Sequence, residues 1–327
     1  MRPRLFRRDR VATLLLLAAV GLCSTASAQG GLTTEGAQFL LIPIGARSLG
    51  MGQAVVADEA GSESVWWNPA GLARAETREV AVHHFQSYVG TGDVLSLVIP
   101  SSRLGVLTGS VYILNFGAQD INDRGNLSTG TLLPRNLVYA ATYSTTVGSR
   151  VNAGITFKVV QLRVDCSGSC GVPTVSASTS ALDAGAQYDV PGAPISLGVG
   201  VRNVGPSFQV NDREQADPLP TRIQLGVLYH GSALSHYVRG ADIRLESDLI
   251  GNDRFDGPAA RVGADLGYRR IFHLRGGYVF ESSQASGPSL GLGLSAGSLF
   301  IDIARLFESF SEATGQPPAY ISLRYLF

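Results

Sequence analysis

The residues able to do covalent chemistry are few, and their spacing does not suit catalysis. Gly287-Pro-Ser289-Leu-Gly291 has the G-x-S-x-G spacing of a nucleophile elbow, which requires a strand, a sharp turn and then a helix. A strand-like alternating stretch follows Gly291 instead, so we interpret the segment as a turn at the rim of a β-barrel. Since no Ser–His pair suited to hydrolysis is visible either, we predict that the chain is not an enzyme and has no catalytic residue.

Two further groups of residues are candidates for cofactor or metal binding. The glycines between Gly45 and Gly52 lack the Lys-Ser/Thr pair that a phosphate-binding loop needs. His83 and His84 are neighbours in a strand-like stretch, so they face opposite sides of a sheet and cannot ligate one ion together. The sequence therefore predicts no cofactor and no metal site.

Cys166 and Cys170 flank three small residues. In an oxidising compartment, a local disulfide is the first interpretation. A metal site is the alternative, but it would need more ligands, and no histidine lies close in sequence. We predict the disulfide.

The N-terminus has the three parts of an export signal. Met1–Arg10 holds five arginines, Val11–Leu22 is almost entirely apolar or small, and Ala26-Ser27-Ala28 offers small residues for cleavage. The apolar run is shorter than the roughly 20 residues of a membrane-spanning helix. We predict a signal peptide over residues 1–28, cleaved after Ala28.

The charge content limits the class of protein. Charged residues make up 16% of the chain, against about 25% in soluble domains, and Lys158 is the only lysine. Removing the signal peptide leaves 21 basic and 25 acidic residues. A nucleic acid is therefore not an expected partner, because binding one requires a basic face. Low charge without a long apolar helix is expected of a transmembrane barrel.

Residues 78–327 alternate with period two, which places one set of side chains on each face of a sheet. In the stretch from Val151 to Val159, apolar residues alternate with Asn152, Gly154, Thr156 and Lys158. A second face of Gly and Ser with isolated charges suits a crowded polar lumen, with the apolar set facing lipid. We predict an all-β fold, a transmembrane antiparallel barrel of about 14 strands. The predicted strands are 79–89, 92–100, 104–115, 136–147, 150–163, 180–190, 195–204, 221–231, 236–246, 260–269, 271–280, 288–296, 298–306 and 319–327.

The connections and the C-terminus indicate where this barrel resides. Long polar loops, such as 116–135 and 164–179, alternate with tight turns, as in outer-membrane barrels. An even strand number leaves both termini in the periplasm. Tyr325 and the terminal Phe327 resemble the signal that the barrel assembly machinery reads, although an ordinary edge strand is the alternative. Localisation in the cell outer membrane, in contact with its lipid, is the prediction.

Residues 29–77 do not alternate. They are too irregular for lipid and too apolar for a free tail, so we predict a plug inside the barrel. Candidate partners on the plug side are Arg47, Asp58 and Glu59. The charges expected to face the lumen are Arg202, Arg222, Asp242, Arg244, Arg261, Asp265 and Arg275. A salt-bridge network between wall and plug is favoured for them over an ion-selective pore, because a plugged barrel of this size leaves little open lumen.

The plug segment resembles the PorV/PorQ family and, more broadly, FadL-type outer-membrane transporters. The matching motifs run from Gly45 to Gly52 and from Trp67 to Leu72, with Gln53 as a departure. The residues assigned to the plug, or hatch, motif are Gly45, Arg47, Gly50, Met51, Gly52, Trp67, Asn68, Pro69, Ala70 and Gly71. The resemblance implies a fourteen-stranded barrel with an N-terminal hatch.

Three functions stay open at this point. The PorV/PorQ resemblance implies a non-catalytic conduit or shuttle in envelope transport or type IX protein secretion, which we take as the main hypothesis. The FadL resemblance implies a channel that moves hydrophobic small molecules through the lumen and a lateral opening. A surface scaffold that binds secreted cargo proteins through its extracellular loops is the third possibility.

Overall fold

The computed structural model describes residues 35–123, 127–171, 175–209, 216–231, 238–281, 286–307 and 317–327. The predicted signal peptide, residues 1–28, and the first six residues of the predicted plug lie outside the described residues. The strands are β1 (Glu79–Gln86), β2 (Thr91–Ser101), β3 (Gly105–Asn115), β4 (Gln119–Asn122), β5 (Ser128–Val147), β6 (Val151–Gly168), β7 (Val175–Asp189), β8 (Ile195–Val204), β9 (Phe208–Gln209), β10 (Ala216–Asp217), β11 (Arg222–Gly231), β12 (Ala241–Gly251), β13 (Ala259–Tyr268), β14 (Phe272–Phe280), β15 (Gly287–Ala296), β16 (Leu299–Leu306) and β17 (Ala319–Leu326).

Fourteen of these strands form a closed antiparallel barrel, which confirms the predicted fold. Each barrel strand pairs with its neighbours along the chain, β17 pairs with β1, and β3 pairs with β5. The extra strand β4 pairs with the outer part of β5, and β9 with β10 forms a separate small hairpin. Because the sheet closes on itself, the barrel strands leave no open edge.

The two ends of the barrel differ. We call the end that carries Phe327 and the connections 102–104, 148–150, 190–194, 269–271 and 297–298 the turn end. The opposite end, the loop end, carries β4, β9 and β10. Strands β5, β6 and β7 have 20, 18 and 15 residues and extend farthest at the loop end.

The two faces of the wall have opposite character. On β2, Val94, Ser96 and Val98 face inwards and are buried, whereas Leu95 and Leu97 are exposed. The same alternation places large apolar side chains on the outside of nearly every strand. An apolar outer band around a polar, filled interior is the arrangement of a barrel that meets lipid.

Three details of the sequence prediction are wrong. The ninth predicted strand, 236–246, is β12 and lies at Ala241–Gly251. The predicted loops 116–135 and 164–179 contain β4 and the outer ends of β5, β6 and β7. Gly287–Gly291 is not a rim turn, because it opens strand β15, and the buried Ser289 accepts a hydrogen bond from Gly52 N at 3.0 Å.

The segment before β1 crosses the lumen from one end to the other. At the loop end Gly36 N donates to Pro218 O at 2.9 Å, and at the turn end Phe327 N donates to Arg78 O at 2.9 Å. Between them lie two short helices, α1 (Ala46–Gly50) and α2 (Ser64–Trp67), and three 3-10 turns (Gln38–Leu41, Gly61–Glu63 and Pro69–Leu72). In the described part of the chain, no helix has the length and apolar character to cross a membrane.

The glycines of the inner face make room for the plug. A Cβ on Gly226 would lie 2.9 Å from Val56 Cβ, and one on Gly50 would lie 3.0 Å from Gly291 Cα. Other wall glycines lie equally close to the plug backbone: Gly154, Gly198, Gly263 and Gly277. Gly185 lies against the Asn68 side chain. The glycine-rich face seen in the sequence is therefore the surface against which the plug lies.

Candidate functional site: the plugged lumen and its outer cavity

Glu63 fixes the first plug helix. Its carboxylate accepts hydrogen bonds from Arg47 N at 3.3 Å and Ser48 N at 2.8 Å, and also from the Ser48 hydroxyl. The N-terminal amides of a helix have no partner within the helix, so the carboxylate acts as their cap. Glu63 could not be identified from the sequence, because it lies 15 residues from Ser48 and no motif links the two.

A buried ion cluster joins plug to wall. Arg47 pairs with Asp58 inside the plug, and Asp58 Oδ1 lies 3.2 Å from Arg244 Nη1 of β12. Asp58 therefore contacts one cation of the plug and one of the wall. Glu59, expected to reach the wall as well, instead lies 3.7 Å from Arg74. A buried carboxylate needs such partners, because an unpaired charge in this environment is strongly destabilising.

Two acids of β12 cradle the plug backbone. Asp248 Oδ2 accepts hydrogen bonds from Val55 N at 2.8 Å and Val56 N at 3.0 Å. Glu246 Oε1 accepts one from Ala57 N at 2.6 Å. These irregular amides have no sheet or helix partner, so the wall satisfies them. Neither contact was predicted from the sequence. The predicted strand ended at residue 246, so Asp248 lay outside it, whereas β12 ends at Gly251.

The two tryptophans of the plug lie beneath three wall cations. Arg202 stands over the Trp67 ring at 5.1 Å and donates to the Trp66 carbonyl, and Arg261 lies 5.7 Å from the Trp67 ring. Lys158 lies 5.5 Å from the Trp66 ring and 2.5 Å from Asp183. Cations over the faces of buried indoles stabilise the rings in place.

The Asn68-Pro69-Ala70 turn packs on β5, β6 and β7. Asn68 Oδ1 accepts from Ala70 N at 3.1 Å, while Asn68 Nδ2 donates to Val56 O at 2.6 Å. Ser144 Oγ donates to the Pro69 carbonyl at 2.6 Å. Asn68 is extended, as the residue before a proline favours. The asparagine thus caps one plug segment and ties it to another.

His83 braces the plug against the closing strands. Its Nε2 lies 3.2 Å from Ser62 Oγ, and its Nδ1 lies 2.8 Å from Ser322 Oγ and 3.8 Å from a Glu63 oxygen. A serine, a histidine and a glutamate thus meet, but all of these side chains are buried. None of them lines the cavity at the loop end that is described below. His84 faces outwards, as its position next to His83 requires.

The remaining predicted lumen charges lie on the inner face of the wall. Arg275 joins Asp265 at 3.1 Å and Asp302 at 2.6 Å. Arg222 forms two 2.8 Å hydrogen bonds with Glu35 at the loop end. Asp242 is only half-buried and lies opposite Gly267, away from the plug contacts. Most of these charges, with Arg202, Arg244 and Arg261, thus contact the plug or one another.

A cavity of about 670 Å³ lies at the loop end, above the plug. The plug supplies Phe39, Leu41 and Ile42 to its lining, and the wall supplies mainly apolar side chains: Val89, Phe116, Leu162, Phe208, Ile250, Val279, Leu306 and Tyr320. The polar lining includes Arg202, Arg222 and Arg261. A largely apolar cavity with a few polar groups is the common form of a small-molecule site.

Aromatic rings form one side of this cavity and continue into the lumen. Phe85 stacks on Tyr320 with centroids 5.0 Å apart, and Phe85 and Phe39 both contact Tyr112, at 6.1 and 6.4 Å. Trp66 meets the same Tyr112 edge-on at 5.7 Å. The cavity therefore connects through packed rings to a plug tryptophan.

The predicted disulfide between Cys166 and Cys170 is confirmed, with Cα atoms 6.1 Å apart. It lies at the loop end, where β6 leaves the barrel. Nearby, hydrogen bonds from Arg163 and Arg135 hold the pKa of Asp165 below its usual value. The bond and this ion cluster both fix the part of the sheet that extends beyond the barrel.

Comparisons with known proteins establish the fold. No family model matches the chain, and no curated protein matches its sequence. The Ralstonia pickettii toluene transporter TbuX is 12% identical, with 88% of this chain and 100% of that chain covered and a TM-score of 0.57. The P. putida toluene transporter TodX is 12% identical over 86% and 98% of the two chains, with a TM-score of 0.57. The CymD monoaromatic hydrocarbon channel is 14% identical over 88% and 98%, with a TM-score of 0.54.

Proposed function

We propose that the chain is an outer-membrane conduit for small hydrophobic molecules and that it catalyses no reaction. The observation that carries the proposal is the apolar cavity of about 670 Å³ between the loop end and the plug. Burial of apolar surface there supplies the binding free energy, at about 25 cal/mol per Å². The barrel fold shared with transporters of toluene and other monoaromatic hydrocarbons supports the same substrate class.

Passage of a molecule from the cavity through the lumen depends on movement of the plug. Below the cavity its backbone lies directly against wall glycines such as Gly226, and Asp248 and Glu246 hold its amides. A molecule held in the cavity therefore proceeds only when the plug shifts. Breaking the hydrogen bonds between plug and wall leaves the strand pairing intact, so the plug can move while the barrel stays folded.

The PorV/PorQ assignment, a role in type IX secretion and the binding of cargo by the extracellular loops stay hypotheses that rest on the sequence. The similarity to hydrocarbon transporters favours the channel for hydrophobic molecules, the second of the three hypotheses drawn from the sequence. Export by the signal peptide and recognition of Phe327 by the barrel assembly machinery belong to this proposal as well.

The plug tryptophans allow a direct binding test. Trp66 and Trp67 are the chain's two tryptophans, and Trp66 belongs to the aromatic cluster beside the cavity. Toluene added to the purified protein should change tryptophan fluorescence saturably, whereas sucrose should not. A Leu162→Asn substitution places an amide in the cavity wall, at a cost of about 1–3 kcal/mol, and should weaken toluene binding about tenfold.

A matched substitution, Leu127→Asn, changes an exposed leucine outside the cavity. It should leave toluene binding unchanged. If the wild-type protein shows no saturable response, or if both variants bind toluene as tightly as it does, the cavity is not the binding site and the proposal fails.

A further inference from the structure

Six exposed arginines lie at the turn end of the barrel. The exposed arginines at the turn end are Arg78, Arg103, Arg150, Arg239, Arg269 and Arg270. Within the described ranges, none of their side chains forms an ion pair or a hydrogen bond. At the loop end Arg135 and Arg163 both pair with Asp165, and Arg222 pairs with Glu35. Arg74 is paired at the turn end, with Asp189 at 2.5 Å, but these six arginines have no acidic partner among the described residues.

Three of the turn-end arginines belong to one patch. Arg239 precedes Gly240, whose carbonyl accepts a hydrogen bond from Arg269 N at 2.6 Å. A Cβ on Gly240 would lie 3.2 Å from Arg269 Cγ. The connection before β12 and the turn between β13 and β14 therefore touch, and they bring together Arg239, Arg269 and Arg270, which we call the turn-end arginine cluster.

The backbone does not favour arginine at two of these positions. Arg269 and Arg270 have φ values of 55° and 57°, a conformation that glycine and asparagine adopt more easily in a two-residue hairpin turn. The Arg269 guanidinium lies 5.2 Å from the Tyr268 ring. Asp242 is the acidic residue of β12 closest in sequence to Arg239, and it lies on the lumen-facing side of that strand. The geometry of the turn therefore does not explain why arginine occupies positions 269 and 270, and the explanation lies in the arginine side chains.

Apolar residues continue the cluster along the outer wall. Leu266, Tyr268, Phe272 and Leu274 face outwards and are exposed. Cations at the rim above an apolar wall match the order of groups in a phospholipid, with its phosphate at the interface and its acyl chains in the hydrocarbon region. A free phosphate would use the arginines alone.

We propose that the turn-end arginine cluster binds the phosphate of an anionic phospholipid in the leaflet at the turn end of the barrel. The proposal rests on the membrane location given under the proposed function, but it does not involve the cavity or its ligand. Arginine suits this role because its planar guanidinium donates to two phosphate oxygens at once.

The test measures phospholipid retention by the full-length protein. The protein in detergent is titrated with phosphatidylglycerol or phosphatidylcholine, and the bound lipid is counted by native mass spectrometry. The variant Arg239→Ser, Arg269→Asn, Arg270→Gly removes three charges and places residues suited to positive φ in the turn. The control variant Arg135→Gln, Arg163→Gln, Arg254→Gln removes three loop-end charges.

Phosphatidylglycerol should be retained in preference to phosphatidylcholine by the wild-type and control proteins. Its affinity should fall about fivefold for each arginine removed from the cluster, and excess inorganic phosphate should not displace it. Equal retention of the two lipids, or an equal loss in the control, would overturn the proposal and favour an acidic protein as the partner. Displacement by inorganic phosphate would overturn the lipid assignment. Toluene binding, measured separately, decides the conduit proposal whichever result is obtained.

Discussion

Substituting Asp248 by alanine should loosen the plug without opening the barrel. The substitution removes the acceptor of two buried plug amides, those of Val55 and Val56, at 2.8 and 3.0 Å. A buried donor left without a partner costs about 1–3 kcal/mol, so the two together cost about 2–6 kcal/mol. Water entering the vacated space, and the loss of a like charge beside Glu246, put the expected value near the lower end, at about 2–3 kcal/mol.

Hydrogen exchange of the plug measures this loss. Each 1.4 kcal/mol is about a tenfold change in an equilibrium constant, so exchange of the Val55 and Val56 amides should accelerate about 30- to 150-fold. Exchange within the barrel strands should not change, because Asp248 takes part in their pairing through its backbone, which the substitution keeps.

The matched control is Asp242→Ala, on the same strand and the same face but away from the plug contacts. It should leave exchange of the Val55 and Val56 amides at the wild-type rate. If exchange in the plug is unchanged in Asp248→Ala, or if strand amides accelerate equally, then the cradle does not hold the plug and the reasoning is wrong.

Three further predictions concern the barrel and its outer sheet. The closed sheet leaves no free edge to begin unfolding in detergent, so unboiled protein should migrate differently from boiled protein on a gel, and identical migration would contradict a stable closed barrel. Alkylation without reduction should leave Cys166 and Cys170 unlabelled in mass spectrometry, whereas two labelled thiols would refute the disulfide in the exported protein. Removing Phe327, which follows the last strand and stacks on Tyr325 at 6.1 Å, should lower the amount of protein assembled in the outer membrane. Unchanged surface levels would refute its role as an assembly signal.

The barrel could be predicted because lipid imposes a regular pattern. Leu95 and Leu97 must face hydrocarbon while Val94 and Ser96 face the lumen, and this constraint repeats in most of the barrel strands. The pattern fails beyond the membrane, because both faces of the outer ends of β5, β6 and β7 meet water. The sequence therefore predicts loops there. The pattern also fails at β12. Asp248 resembles a loop residue in the sequence, because the plug amides that donate hydrogen bonds to it are distant along the chain.

The contents of the lumen were harder to predict, because they depend on contacts between distant parts of the chain. Arg244 and Asp58 were expected among the wall and plug charges, and they meet at 3.2 Å. The capping of α1 by Glu63 and the bracing by His83 involve no local motif. The cavity arises only from how Phe39, Leu162 and Tyr320 come together, and the sequence placed none of them at a binding site.

Uptake of toluene by intact cells tests the conduit most directly. Cells that make the wild-type protein should accumulate radiolabelled toluene faster than cells without it, and Leu162→Asn should reduce the rate while Leu127→Asn does not. The three proteins must be present in equal folded amounts, which the intensity of the unboiled band from isolated outer membranes reports. If toluene enters at the same rate in all of these cells, the chain is not a conduit for small hydrophobic molecules.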